Sequence, residues 1–210
     1  MFQNEKPLLR NFRVPDYSNI DIEREKMMKK MFVQFIKDEF IETNRAFEMT
    51  EDIKPKLVFC FNWIIGREIN VYENKGLQFF GEIGLGKSCM MKAVVKMVSK
   101  LYPSTSARYI TANKLASLFR YSDEQTQIEI NRLIYCQLLF IDDIGTEDQK
   151  VYNSYPVQEI VRERYDRKRI TSFTTNKISK ELATIYSTSI EDKLSHGTYL
   201  LEFKGSTKRC

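Results

Sequence analysis

The stretch Gly81-Glu82-Ile83-Gly84-Leu85-Gly86-Lys87-Ser88 constrains the fold of this chain more than any other. It fits G-x-x-x-x-G-K-[ST], the phosphate-binding P-loop, which needs a strand before it and a helix after it. Both are legible. Leu77-Gln78-Phe79-Phe80 is a short apolar run suited to a buried strand. From Lys87 to Leu101, the residues Met90, Ala93, Val94, Met97, Val98 and Leu101 recur at three- and four-residue spacing. Lys92, Lys96 and Lys100 fall on the other side, so the spacing predicts an amphipathic helix. Three of the chain's eight glycines fall in positions 81 to 86, so the glycines mark this loop and not a generally glycine-rich chain. The bland alternative, a glycine turn with an incidental Lys-Ser, does not account for the strand and helix around it.

The chemistry explains the residue types. Gly81, Gly84 and Gly86 allow backbone conformations closed to residues with a side chain. The loop N–H groups can then point at phosphate oxygens, helped by the positive end of the following helix. Lys87 reaches the β- and γ-phosphates in such a loop, and the Ser88 hydroxyl holds Mg²⁺. Gly81, Gly84, Leu85, Gly86, Lys87, Ser88 and Cys89 are the expected contacts of an ATP molecule, with Ser88 on the metal.

A second stretch, Cys136 to Asp143, sets four apolar residues before two carboxylates. This pattern predicts a buried parallel strand that delivers acid to its C-terminal end, where ligands sit in open α/β sheets. Asp142 is placed to hold Mg²⁺ through water. Asp143, one residue on, could polarise an attacking water. Alone, the stretch is equally well a strand ending in a solvated Asp-Asp turn; with the P-loop upstream, the functional reading is preferred.

The remaining elements follow in order. Residues 1–19 read as an irregular arm. Residues 20–42 read as an amphipathic helix with Ile22, Met27, Met31, Phe32, Phe35, Ile36 and Phe40 on its apolar side, which either packs on its own domain or docks a partner protein. Residues 43–54 read as a linker ending at Pro55. Lys56 to about Glu73 is expected to be a helix, with Phe59, Trp63 and Ile64 facing the core or the adenine edge. Strands are expected at 107–111, 169–174 and 199–203, and helices at 113–121, 123–135, 155–167, 180–186 and 190–194. Asn176, just past a strand end beside Asp142, stands where a side chain that orients water is expected. The domain division expected is 1–55, an arm and helix, and 56–210, the nucleotide-binding domain.

Composition narrows the class. With 42% hydrophobic and 29% charged residues, the chain reads as soluble. The longest apolar run, 57–65, is too short to span a bilayer, and the N-terminus has no signal-peptide pattern. A cytoplasmic protein with no membrane partner is expected. Cys60, Cys89, Cys136 and Cys210 are scattered without a C-x-x-C pair, and with one His196 they match no zinc spacing. The net charge is +5. Residues 1–55 carry ten Lys/Arg against eleven Asp/Glu, so the basic excess belongs to the nucleotide-binding part, as suits a polyanionic partner.

Three stretches at these spacings, Gly76–Ser88, Leu138–Glu147 and Arg162–Asn176, together resemble the AAA+ ATPases of the DnaC/DnaI helicase-loader and IstB transposition-helper type. The resemblance covers about residues 57–209. It implies a three-layer α/β P-loop fold with a central parallel five-stranded sheet. The chain departs from the family at its ends: the 34 residues after Asn176 are too few for a full helical lid, so little or no lid domain is expected, with the 20–42 helix as an N-terminal extension. The resemblance also implies binding of ATP and Mg²⁺ and side-by-side assembly of copies on single-stranded DNA. By that likeness Asp142 is the metal-side acid, and Asp143 stands at the catalytic-acid position, more usually Glu. Asn176 matches the first sensor position, and Arg209 the second sensor arginine. Where the family commonly carries an arginine finger this chain has Lys193, a point charge without the planar fork. Turnover is then expected to be slow, or Arg162 or Arg164 serves instead.

The leading expectation is an ATP-dependent loader acting with a replicative helicase on single-stranded DNA, with Lys114 and Arg120 tracking phosphates. A transposition helper partnered with a transposase, and an ATP-gated adaptor with little turnover, are the alternatives. A small-molecule kinase would lack the Ile-Asp-Asp-Ile-Gly string.

Overall fold

The computed structural model describes residues 20–67, 75–121, 123–147 and 155–205. The expected arm at 1–19, residues 68–74, and the tail with Arg209 and Cys210 lie outside the described residues. Five strands, β1 (Gly76–Gly81), β2 (Ala107–Thr111), β3 (Leu138–Asp142), β4 (Ile170–Thr175) and β5 (Thr198–Phe203), form one sheet in the order β2-β3-β4-β1-β5. All four pairings are parallel. Parallel neighbours cannot be joined by hairpins, so helices must carry the chain back across the sheet. These are α3 (Lys87–Leu101), α4 (Ala112–Leu118), α5 (Glu124–Tyr135), α6 (Pro156–Asp166), α7 (Ser179–Tyr186) and α8 (Thr188–His196). Two more, α1 (Ile22–Glu42) and α2 (Ile53–Ile65), precede β1.

The alternation of side chains along a strand builds the three layers. On β3, Leu138 and Phe140 join the core under α1, α2 and α3, with Phe79, Met90, Val94 and Phe32. Leu139 and Ile141 face the opposite side, where Leu115, Leu133, Ile160, Tyr186 and Leu194 from α4 to α8 pack. All five β3 residues are buried, as a central parallel strand covered on both faces requires. Because β3 lies beside β4, and β4 beside β1, the C-terminal ends of all three meet at one edge.

Two expectations need correction. The helix expected from Lys56 to Glu73 begins at Ile53 and ends at Ile65. Gly66 takes a left-handed conformation (φ 71°), and the Arg67 N–H closes the end on the Asn62 carbonyl at 2.9 Å, a glycine stop that side-chain periodicity does not reveal. Pro55 sits inside the first turn of α2, where its missing N–H costs nothing, rather than at the end of a linker. The apolar side of α1 is also shifted. Met28, Phe32, Ile36 and Phe40 are buried, whereas Ile22 (82% exposed) and Met27 (66%) face outward. α1 packs on α3, and its buried residues share one core with β1 and α2. Of the two readings of this helix, its inner face belongs to packing at home. Trp63 and Ile64 are core residues too, Trp63 donating to the Lys75 carbonyl at 2.9 Å.

α1 is pinned at its N-terminal half by a paired hydrogen bond from Arg67 to both oxygens of Glu25, at 3.0 and 2.9 Å. The Arg67 guanidinium, then Lys29, holds the Glu25 carboxyl down at about 2. A carboxyl whose folded value is depressed stabilises the native state fully above its unfolded value of about 4.5 and loses that contribution as pH falls towards 2. Glu25→Gln is therefore expected to lower the urea midpoint slightly at pH 7 and to erase the difference from wild type near pH 2, measured by parallel unfolding titrations. Among the described residues no helix is long and apolar enough to cross a membrane.

Candidate active site

The P-loop leaves β1 at Gly81 and enters α3 at Lys87. Gly84 (φ 92°) and Gly86 (φ 87°) lie in the left-handed region, as expected of a loop that turns its N–H groups inward. Gly81 needs to be glycine for a different reason: a Cβ there would lie 2.4 Å from the Phe203 carbonyl of β5. The first N–H groups of α3 have no partner within the helix, so this end offers donors and the positive end of a dipole. Lys87 is buried, and its Nζ donates to the carbonyls of Gly81 and Glu82 at 2.7 and 2.8 Å. The ammonium thus stays inside the loop it serves.

The side chains of Leu85 and Cys89 are buried. The Leu85 side chain is in the core. The Cys89 thiol is turned to α1, donating to the Glu39 carbonyl at 3.7 Å with Thr43 Oγ1 at 3.9 Å, and burial raises it above the ordinary thiol value. Phe40 of α1 covers Gly86 so closely that a Cβ would come within 2.5 Å of its ring.

Asp142 ends β3 with 6% exposure and carries three hydroxyl donors. Ser88 Oγ donates to its Oδ1 at 2.9 Å and Thr174 Oγ1 to the same oxygen at 2.6 Å. Tyr109 donates its hydroxyl to Oδ2 at 2.6 Å. Burial, with Asp142 alongside, pushes the Tyr109 phenol above its ordinary value, so it remains a donor. Ser88 and Asp142, 54 residues apart in sequence, are thus in direct contact. A hydroxyl and a carboxylate side by side at a helix N-terminus form an oxygen donor set that fits Mg²⁺ carried by a nucleotide.

Asp143 is exposed and takes φ 62°, a left-handed conformation that Asp tolerates better than most residues. Its N–H donates to Thr174 Oγ1 at 2.7 Å, which holds the turn while the carboxylate projects from the sheet edge. Asn176 follows β4 directly, and its Oδ1 is buried without a hydrogen-bond partner among the described residues. An orphaned acceptor at the C-terminal end of the strand beside β3 is a place for a ligand or water donor.

Arg164 requires correction. It has 0% exposure. Its guanidinium donates to the carbonyls of Leu133 and Ile134 in the last turn of α5, of Cys136 just beyond it and of Ile170, and to Thr171 Oγ1, all at 2.6–3.0 Å. The negative end of the α5 dipole stands in for a counter-ion. Burial lowers the guanidinium to about 10, so it keeps its charge. A side chain so enclosed cannot reach another subunit. Arg162 is exposed on α6. Lys193, on α8, pairs with Asp166 at 3.0 Å and lies 4.3 Å over the Tyr165 ring.

Sequence reading missed Tyr109 and Glu147. Glu147, buried, accepts from the Gly145 and Thr146 N–H groups and from the Tyr186 hydroxyl, closing the loop after β3. Its place in the Ile-Gly-Thr-Glu string was the available signal. For Tyr109 the signal was a polar-tipped aromatic two residues before the end of the strand that neighbours β3.

A family model of the bacterial DnaA ATPase domain matches residues 62–200. The replicative helicase loader DnaC of Escherichia coli (strain K12) is 28% identical over 126 residues, 58% of this chain and 51% of that protein. The chain thus spans about half the length of the curated relatives it matches. Among solved structures, DnaI superposes with a TM-score of 0.64 at 18% identity, over 76% of this chain and 88% of that one. The replication initiator DnaA bound to AMPPCP and single-stranded DNA superposes at 0.59 and 16% identity, over 77% of this chain and 49% of that one. With a parallel sheet in this order, a P-loop between β1 and α3, and a family match over most of its length, the chain belongs to the bacterial DnaA ATPase-domain family, as a DnaC/DnaI-like AAA+ ATPase.

Proposed function

We propose that this protein is a cytoplasmic ATPase that acts as a replication accessory factor, loading a replicative helicase on single-stranded DNA. One observation supports the enzymatic part above others: the Ser88 hydroxyl touches Asp142 at the positive end of α3, with the orphaned Asn176 oxygen at the end of the adjacent strand β4. In this reading the loop N–H groups and Lys87 bind the triphosphate, and Ser88 and Asp142 hold Mg²⁺. The metal, when bound with the nucleotide, supplies charge neutralisation on the phosphate oxygens. Asp143 accepts the proton of the attacking water, and Asn176 orients that water through Oδ1. Arg209 is proposed to contact the nucleotide from the C-terminal tail.

The DNA part rests on likeness and charge. DnaA, a structural neighbour, is seen with single-stranded DNA, and Lys114 lies exposed on α4. A stretch of DNA would pass several copies side by side, each presenting this helix. Lys193 stands at the finger position by that likeness. Its ion pair with Asp166 favours an ATP-gated adaptor with slow turnover as the second reading.

The test is phosphate release from ATP by the purified protein, with and without single-stranded DNA, beside Lys87→Ala. Wild type is expected to release phosphate faster with DNA, and Lys87→Ala to fall by about a hundredfold or more, the scale for losing one positioned donor. Nucleotide binding with release at the Lys87→Ala background in both conditions would overturn the ATPase reading and leave the adaptor.

A further inference from the structure

We propose that Tyr109 is a positioning residue for Asp142, and that its hydroxyl sets how strongly the site takes a divalent cation together with nucleotide. The inference rests on the Mg-ATP reading above. Asp142 has two oxygens in two different situations. Oδ1 receives Ser88 and Thr174, at 2.9 and 2.6 Å, while Oδ2 receives Tyr109 at 2.6 Å. The terminal torsion of a carboxylate is broad and gives little orientation by itself. Here the two strands that flank β3 each supply one hydroxyl, β4 through Thr174 and β2 through Tyr109, so the carboxylate plane is fixed from both sides. Ser88 belongs to the P-loop and has a second task on the metal. Its oxygen could ligate through a lone pair while its O–H still donates to Asp142. The clamp that remains when Ser88 is so engaged is Thr174 and Tyr109.

Tyr109 is itself held in place. Lys92 Nζ lies 5.6 Å from the centroid of its ring and 3.9 Å from the buried Glu39 carboxylate of α1. The ring therefore has an ammonium over its face, with α1 beyond it, and the hydroxyl has a defined aim. Removing the hydroxyl leaves Oδ2 of a nearly buried carboxylate without that donor. The carboxylate is then free to turn, and it meets a metal-bound water in fewer of its orientations.

The experiment titrates Mg²⁺ against a fluorescent ATP analogue bound to wild type, Tyr109→Phe and Tyr109→Met, with thermal melting as a check of folding. Tyr109→Phe keeps the ring, and Tyr109→Met fills the space without one. Both are expected to bind the analogue in EDTA within about twofold of wild type. Both are expected to need about tenfold more Mg²⁺ for half-maximal tightening, the scale of one hydrogen bond to a charged group. A role of the aromatic ring without its hydroxyl predicts a change for Tyr109→Met alone, and that result would overturn the positioning role of the hydroxyl. Wild-type Mg²⁺ dependence in both variants would overturn the positioning role and leave the Mg-ATP reading intact. Absence of any Mg²⁺ effect on wild type would overturn the Mg-ATP reading itself, and this inference with it.

Discussion

Arg164→Ala is expected to unfold the domain rather than to slow its chemistry. The guanidinium is fully buried and satisfies the last carbonyls of α5, the Ile170 carbonyl and the Thr171 hydroxyl at once. Truncation leaves these acceptors without donors and opens a cavity between α5, α6 and β4. Breaking such a buried charged network costs about 3–5 kcal/mol, a large share of the roughly 5–15 kcal/mol that stabilises a domain. The melting temperature should fall by about 10 °C or more, or the protein should be recovered only as aggregate. Arg162→Ala, on the exposed side of the same helix, should melt like wild type. An Arg164→Ala protein that melts like wild type would mean that α5 needs no such cap and would reopen a role for Arg164 in trans.

Gly86→Ala carries the second large effect, through two independent causes. A φ of 87° strains any residue with a Cβ, by about 1–2 kcal/mol. That Cβ would also lie 2.5 Å from the Phe40 ring, which is confined by Phe47 at 5.3 Å between centroids. Overpacking of this kind costs about 1–3 kcal/mol more. The single variant should lose about 2–5 kcal/mol in urea unfolding. The double variant with Phe40→Leu should lose less than the two singles combined, since a smaller side chain relieves the clash but not the strain. Strict additivity would show that Phe40 does not rest on Gly86 in solution.

Much of the fold was legible because two periodicities were clean. α3 and β2 have the bounds their patterns predict, and Leu138 to Asp142 could only be a strand buried on both sides. The contact of Ser88 with Asp142 followed from a general rule, that ligands gather at the C-terminal edge of a parallel sheet. What escaped depended on partners distant in sequence. In α1, apolar residues occur on more than one side, and only α3 decides that Met28 goes in and Met27 stays out. Arg164 sits among Arg162, Arg167, Lys168 and Arg169 and reads as one more surface cation, because the carbonyls it meets end a helix some thirty residues earlier. Tyr109 reads as an ordinary strand aromatic until β2 is known to lie beside β3.

The contact of Phe40 with Gly86 ties one end of α1 to the phosphate-binding loop. A helix of 21 residues is about 30 Å long. Its C-terminal end rests on the loop that would grip phosphate, and its N-terminal end carries the exposed Ile22 and Met27. By the reciprocity of linked equilibria, anything that grasps the far end more tightly in one loop state must shift nucleotide affinity by the same factor.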